Sequence, residues 1–198
     1  IDRAEEILKA SQAVIKHGES DRAFYRSSTD SIHLPHKHQF PTPDRYYATA
    51  LHELGHWSGH ELRLNRDLSH PFGSEGYAKE ELRAEIASMI LGSELGIGHD
   101  PGQHAAYVGS WIKVLEQDPK EIFRAAADAE KIQDYVLALS QQHEVVQEQD
   151  NLNQPIMLAQ SLLINAEQNL QSKAKKKKKN PSSELESKLS HPETPKNH

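Results

Sequence analysis

The chain has 198 residues, of which 36% are hydrophobic and none is cysteine, and it carries a formal net charge of −6. That length and apolar content suit one globular domain with a loose tail. Without cysteine there is no disulfide, thiolate metal site or cysteine nucleophile, so any metal has to be held by His, Asp or Glu. The acidic balance gives no global attraction to nucleic acid or to an anionic membrane. No apolar run approaches the roughly 20 residues of a transmembrane helix, and no signal peptide is visible. The chain opens on Ile1 rather than Met and reads as a piece of something longer. Its lack of cysteine fits a cytoplasmic location.

Residues Asp2 to Lys16 read as a first helix, with Ile7, Leu8, Val14 and Ile15 on a rough apolar face and Gly18 as its stop. Ala23–Arg26 and Ser31–Leu34 read as two short strands joined through the polar Ser27–Asp30 turn, a hairpin. Pro35 to Pro43 reads as loop. A strong helix follows, capped by Thr42 or Asp44 and running through Leu51, His52 and His56 to about Ser58. Asn65–Gly76 forms a long loop. A second strong helix spans about Tyr77 to Leu95 and stops at Gly96-Ile97-Gly98. A third runs from about Gln103 to Glu116, and a fourth starts at Pro119, a favoured first-turn residue, with Ile122, Ala126, Ile132, Val136 and Leu139 among its apolar positions. Gln141–Leu170 is Gln- and Asn-rich and reads as a weak helix or linker. The segment from Lys173, with its run Lys175–Lys179, has the composition of a disordered tail. That run could touch phosphates nonspecifically, but it lacks interleaved aromatic residues for stacking on bases.

The decisive stretch is His52-Glu53-Leu54-Gly55-His56. On a helix, positions i and i+4 project from one face one turn apart, so both imidazoles can bind a single Zn²⁺. Glu53 stands beside the first of them, where it can serve as general base without itself ligating. Leu51 and Leu54 supply a buried side to the helix, and Gly55 permits close approach of a neighbouring backbone. The thirteen histidines of the chain raise the rate of accidental motifs, and the plain alternative is two surface histidines on an amphipathic helix.

A mononuclear site also needs a third protein ligand and an open position. The pattern H-E-x-x-H-x-x-G-x-x-H would supply a third histidine. Here Gly59 is correctly placed, but Leu62 stands at the last position and His60 is out of step. A glutamate on the later helix is the other solution, and Glu80-Glu81-Leu82-Arg83-Ala84-Glu85 offers it. The reading adopted is Glu81 as third ligand with Glu85, one turn on, orienting an imidazole. Glu85 as the ligand is the main competitor, and Asp67, His70, His99, Asp100 and His104 are further candidates. Tyr77, His104 and Tyr107 are candidate donors to a developing oxyanion. Two histidines and a glutamate suit one Zn²⁺, although other first-row ions accept the same donors.

The run Tyr46-Tyr47-Ala48-Thr49 leading into His52–His60, with Phe24-Tyr25, Asp30-Ser31-Ile32, Leu34-Pro35, Arg63-Leu64, Glu80–Glu85 and Tyr107–Ile112, resembles the C-terminal metallopeptidase-like domain of ArdC antirestriction proteins. The same module occurs in TraC-type plasmid DNA primases and phage polyvalent proteins. The resemblance spans about residues 1–140. It implies a zincin-like α+β fold, mostly helical, with a small β-sheet, an HExxH helix and a following Glu-bearing helix. That span is taken as one domain, 1–140, and the composition beyond it gives a helical extension or linker at 141–172 and a tail at 173–198. Proteins of this group serve mobile elements by protecting or priming DNA. Their single-stranded-DNA-binding domain is not in this chain, so DNA contact does not transfer to these residues. The expected activity is zinc-dependent hydrolysis of a peptide or protein substrate. The alternative is a non-catalytic, zinc-stabilised module that assists DNA protection or priming, and a weaker one is partner binding through the Gln-rich segment. Neither involves a membrane.

Overall fold

The computed structural model describes residues 1–19, 21–98, 105 and 107–179. Helix α1 covers Asp2–Ala10 and ends six residues before the Lys16 boundary that the apolar pattern suggested. Gln12 takes a left-handed conformation with φ 55°, which breaks the helix. The Ser11 hydroxyl donates to the Leu8 carbonyl and accepts from the Ala13 N–H, tying off the end locally. The β-branched pair Val14-Ile15 then enters strand β1, Val14–His17.

Strands β2 (Phe24–Arg26) and β3 (Ser31–Leu34) form the expected antiparallel hairpin, with Tyr25 opposite Ile32. A short 3-10 turn, Ser27–Thr29, joins them and ends on Asp30, itself left-handed at φ 45°. Strand β1 pairs parallel with β3, Ile15 opposite Ile32, so the sheet order is β1-β3-β2. Central β3 is buried at all four positions. Its two polar side chains have close polar neighbours: the hydroxyl of Ser31 meets His33 Nε2 at 3.0 Å, and His33 Nδ1 lies 2.8 Å from Glu19. Among the described residues no strand pairs with the outer edge of β2.

Helix α2, Pro43–Trp57, starts as its sequence dictates: Thr42 accepts from the Arg45 N–H and Pro43 occupies the first turn. Helix α3, Glu75–Leu95, is capped by the Ser74 hydroxyl on the Tyr77 N–H and closed by Gly96. Helix α4 covers Val108–Gln117. The start expected near Gln103 lies outside the described residues. Helix α5 begins at Glu121, two residues after Pro119, where Asp118 accepts from the Lys120 N–H. It continues to Lys179. The chain divides into two units, 1–145 and 146–198. In the second, Leu152, Ile156, Leu163 and Leu170 are exposed on the helix.

The core of the first unit joins Ile7 and Leu8 of α1, Ile32 and Leu34 of β3, Tyr46, Leu51 and Leu54 of α2, Leu91 and Leu95 of α3, and Ile132 and Val136 of α5. Each buried Leu or Ile contributes about 1.5–3 kcal/mol relative to exposure. Helices α2 and α3 pack directly on each other. A Cβ at Gly55 would meet Ala84 at 3.6 Å, an ordinary contact, so this approach does not demand a glycine.

Arg63 ties the segment after α2 to the hairpin. Its guanidinium lies 3.8 Å over the Trp57 ring, donates to the Trp57 carbonyl at 2.6 Å, and forms a two-pronged ion pair with Asp30. Tyr25 donates to the same carboxylate at 2.8 Å. Arg63 above all, against a partial desolvation cost, and then Tyr25 hold the Asp30 carboxyl below its ordinary range. A depressed folded-state pKa contributes stability that is fully present above the unfolded value, near 3.9, and lost as pH falls from there through the folded value. Asp30→Asn should therefore remove part of the acid sensitivity. Urea unfolding between pH 3 and 6 should show a shallower pH slope for the variant, and an unchanged slope would reject the assignment.

Candidate metal centre

Helix α2 presents His52 and His56 toward α3, which answers with Glu80, Glu81 and Glu85. Four of the five are buried, His52 at 3% exposed, Glu81 at 5% and Glu85 at 8% among them, and the His56 side chain is 12% exposed. The Nε2 atoms of His52 and His56 face each other at 3.2 Å. One Glu81 oxygen lies 3.5 Å from His52 Nε2 and the other 3.3 Å from His56 Nε2. Among the described residues, His52, His56 and Glu81 form the group that could hold a metal ion, with ligand atoms within 4.8 Å of one another.

The far sides of the two rings are occupied by carboxylates. His52 Nδ1 lies 3.3 Å from Glu85, and His56 Nδ1 lies 3.2 Å from Glu80. A ring that donates from Nδ1 keeps the lone pair on Nε2, so both lone pairs point into the same small space. Two imidazole nitrogens held at metal-bond length on a tetrahedral ion stand about 3.3 Å apart. The observed separation matches, and the donor set of two imidazoles and one carboxylate fits a divalent cation. The electrostatics agree. Burial opposes charge on His52, but Glu81 and Glu85 overcome it and raise the pKa. Burial likewise opposes charge on His56, where Glu80 and Glu81 raise the pKa well above the usual imidazole range. Burial would raise the Glu81 carboxyl, yet the two imidazoles hold it far below the usual carboxylate range. The site calls for positive charge, which either protons or a metal ion can supply.

Two residues with a part in this arrangement were given none from the sequence: Glu80 and Arg66. Arg66 embraces Glu80 with two hydrogen bonds, 3.1 Å from Nε and 2.7 Å from Nη2. It also donates to the Gly55 carbonyl at 2.7 Å and to the Ser58 hydroxyl at 3.0 Å, satisfying the open C-terminal end of α2. Gly59 makes room for it, since a Cβ there would sit 2.9 Å from the guanidinium. The sequence signal was faint: one Arg seven residues past a Gly, and one Glu among three. Asp67 and His70 pair with each other at 3.2 Å in the cleft and are not part of the converging group of His52, His56 and Glu81. His99, Asp100 and His104 lie outside the described residues.

The centre opens into a cleft of about 880 Å³ lined by His52, Glu53, His56, Glu81, Tyr77 and Tyr107, with β2 along another side. Glu53 is buried and borders this space. The Tyr77 and Tyr107 hydroxyls meet at 3.3 Å. Burial first, then hydrogen bonds to Tyr107 and Glu81, keep the Tyr77 phenol protonated well beyond the ordinary range, so it can only act as a neutral donor.

A helix bearing H-E-x-x-H, packed on a second helix that delivers a glutamate, with a small sheet beside the cleft, defines a protein of the zincin class. Residues 2–128 match the zincin-like metallopeptidase family, and the chain belongs to it. Its relatives include two proteins named DNA primase TraC from Escherichia coli, 78% identical over 149 residues and 77% identical over 141. These matches take up 75% and 71% of this chain but 14% and 10% of the primases, so the chain corresponds to a small part of each. An uncharacterized protein, y4eC of Sinorhizobium fredii, is 41% identical over 139 residues, 70% of this chain and 45% of its own length. Among solved structures, the antirestriction ArdC protein from plasmid R388 is similar in both Mn(II)-bound and metal-free forms. Each has a TM-score of 0.65 and 37% identity, and the match covers 71% and 72% of this chain and 52% of ArdC. No helix among the described residues is long and apolar enough to cross a membrane.

Proposed function

We propose that this domain is a zinc-dependent peptide hydrolase, working in the cytoplasm as part of a mobile-element antirestriction or primase protein. The observation that carries the reading is the convergence of His52, His56 and Glu81 on one point at the floor of a cleft that Glu53 also borders. Zinc bound by these three residues would supply a Lewis acid and bring the pKa of a water toward neutrality. Glu53 takes the proton from the attacking water as the new C–O bond forms, and passes it to the departing amine as the C–N bond breaks. Tyr77 donates its hydroxyl proton in a hydrogen bond to the carbonyl oxygen as charge develops there. Glu85 and Glu80 orient the two imidazoles from behind. Manganese is the competing ion, since the ArdC relative is described with Mn(II).

The second reading, a metal-stabilised module without catalysis that assists DNA protection or priming, draws on what the relatives are named for. Chelator-stripped protein titrated with Zn²⁺ and with Mn²⁺ separates the two. One ion bound per chain, with cleavage of an unfolded protein restored at the same equivalence point, supports the hydrolase. One ion bound and a raised Tm, with no cleavage of any of a broad set of polypeptides, supports the structural module. No ion bound sinks both.

A further inference from the structure

An aromatic wall rises beside the candidate centre, and of its three rings the chemistry above uses only the Tyr77 hydroxyl. Phe72 is 80% exposed, an unusual state for a phenylalanine that touches other aromatic rings. Its ring lies 5.2 Å from that of Tyr77 and 6.4 Å from that of Tyr107, and the two tyrosine rings are 5.9 Å apart. All three side chains line the same cleft as Glu53 and Glu81. Tyr77 bridges the two regions, because it lines the cleft beside Glu81 while its ring packs on Phe72.

We propose that Phe72, Tyr77 and Tyr107 form a subsite for a large apolar or aromatic side chain next to the scissile bond of a peptide substrate. This rests on the hydrolase reading and names its substrate class. The physical case is that an exposed phenylalanine buttressed by two half-buried tyrosines is a preformed apolar surface, and a side chain laid on it removes water from both. A stacked nucleobase would fit the same rings, but the cleft argues against a nucleic-acid strand. Among the described lining residues, the carboxylates of Asp21, Glu53, Asp67, Glu80 and Glu81 outnumber the Arg22 guanidinium and still exceed it once a divalent cation sits on His52, His56 and Glu81. That field repels a phosphate backbone and accepts a neutral peptide.

Hydroxamates of N-acetylated amino acids test the subsite without requiring turnover, since the hydroxamate anchors on a metal with an open position and the side chain explores the wall. On the zinc-loaded chain, the phenylalanine hydroxamate should bind about 10- to 100-fold more tightly than the glycine hydroxamate. The aspartate hydroxamate should bind no better than glycine. Phe72→Ala should cut the preference for phenylalanine about tenfold or more and leave glycine hydroxamate binding and zinc stoichiometry unchanged. Because Phe72 is so exposed, its truncation does not hollow the core. Equal binding of phenylalanine and glycine hydroxamates, or a preference that survives Phe72→Ala, overturns the subsite while leaving the hydrolase reading intact. Failure of every hydroxamate to bind a zinc-loaded chain overturns both. Displacement of the phenylalanine hydroxamate by oligothymidylate, lost in Phe72→Ala, would assign the wall to bases instead and also overturn the proposal.

Discussion

Glu53→Gln is expected to bind one metal ion per chain as the wild type does and to lose peptide cleavage by on the order of 10²–10⁴-fold. The amide is nearly isosteric with the carboxylate, so it fills the same buried position on α2 and keeps the packing of His52 and His56. What it cannot do is take a proton from water. Glu53 is buried and lines the same cleft as Glu80 and Glu81, so exchanging its charge for a neutral amide of the same shape should leave thermal stability close to that of the wild type. The loss should fall on kcat rather than KM, because a general base acts in the transition state and not in substrate binding. Metal stoichiometry read by elemental analysis, with steady-state kinetics on the same samples, checks both halves. If the variant loses its metal, Glu53 is a ligand and not a base. If it cleaves at the wild-type rate, the water is activated by another group.

Arg66→Ala should be the most damaging substitution away from the three converging ligands. The Arg66 and Glu80 side chains are each about 10% exposed, and the pair is two-pronged. Removing one member leaves a buried carboxylate without its permanently charged partner, which costs about 3–5 kcal/mol in comparable pairs. The same substitution takes a donor from the Gly55 carbonyl at the end of α2 and from Ser58. It also frees Glu80 to turn away from His56 Nδ1, so metal affinity should fall by about 10–100-fold. Stability of the metal-free chain in urea and metal affinity by competition with a chromogenic chelator report these two losses separately. Arg66→Lys should recover part of the stability, since charge is restored, and little of the metal affinity, since a point charge cannot hold both Glu80 oxygens in plane. Wild-type metal affinity in Arg66→Ala would show that Glu80 does not depend on it.

The most local features were the most legible. The H-E-x-x-H spacing, the Thr42-Pro43 start of α2 and the hairpin between Phe24 and Leu34 each depend on residues within one or two turns of each other, so period and capping chemistry reveal them. The same periodicity put Glu81 and Glu85 on one face of α3. It misled where a distant partner decides. Val14–His17 fits the end of an apolar helix by pattern alone, but the exposed edge of β3, about seventeen residues on, offers a full set of backbone hydrogen bonds, and the β-branched pair takes them.

What the sequence by itself determined is the donor set: two imidazoles at helical spacing with a carboxylate beside the first, no thiol, and a choice among nearby glutamates. Only the tertiary structure decided how those glutamates divide. The crossing of α2 and α3 turns Glu81 toward both Nε2 atoms, leaves Glu85 behind His52 and sets Glu80 behind His56. Arg66 reaches Glu80 past Gly59, which leaves space for the guanidinium at the end of α2. A helix dictates the angles between its own side chains, but the direction from which a second helix meets them is set by packing across the whole core.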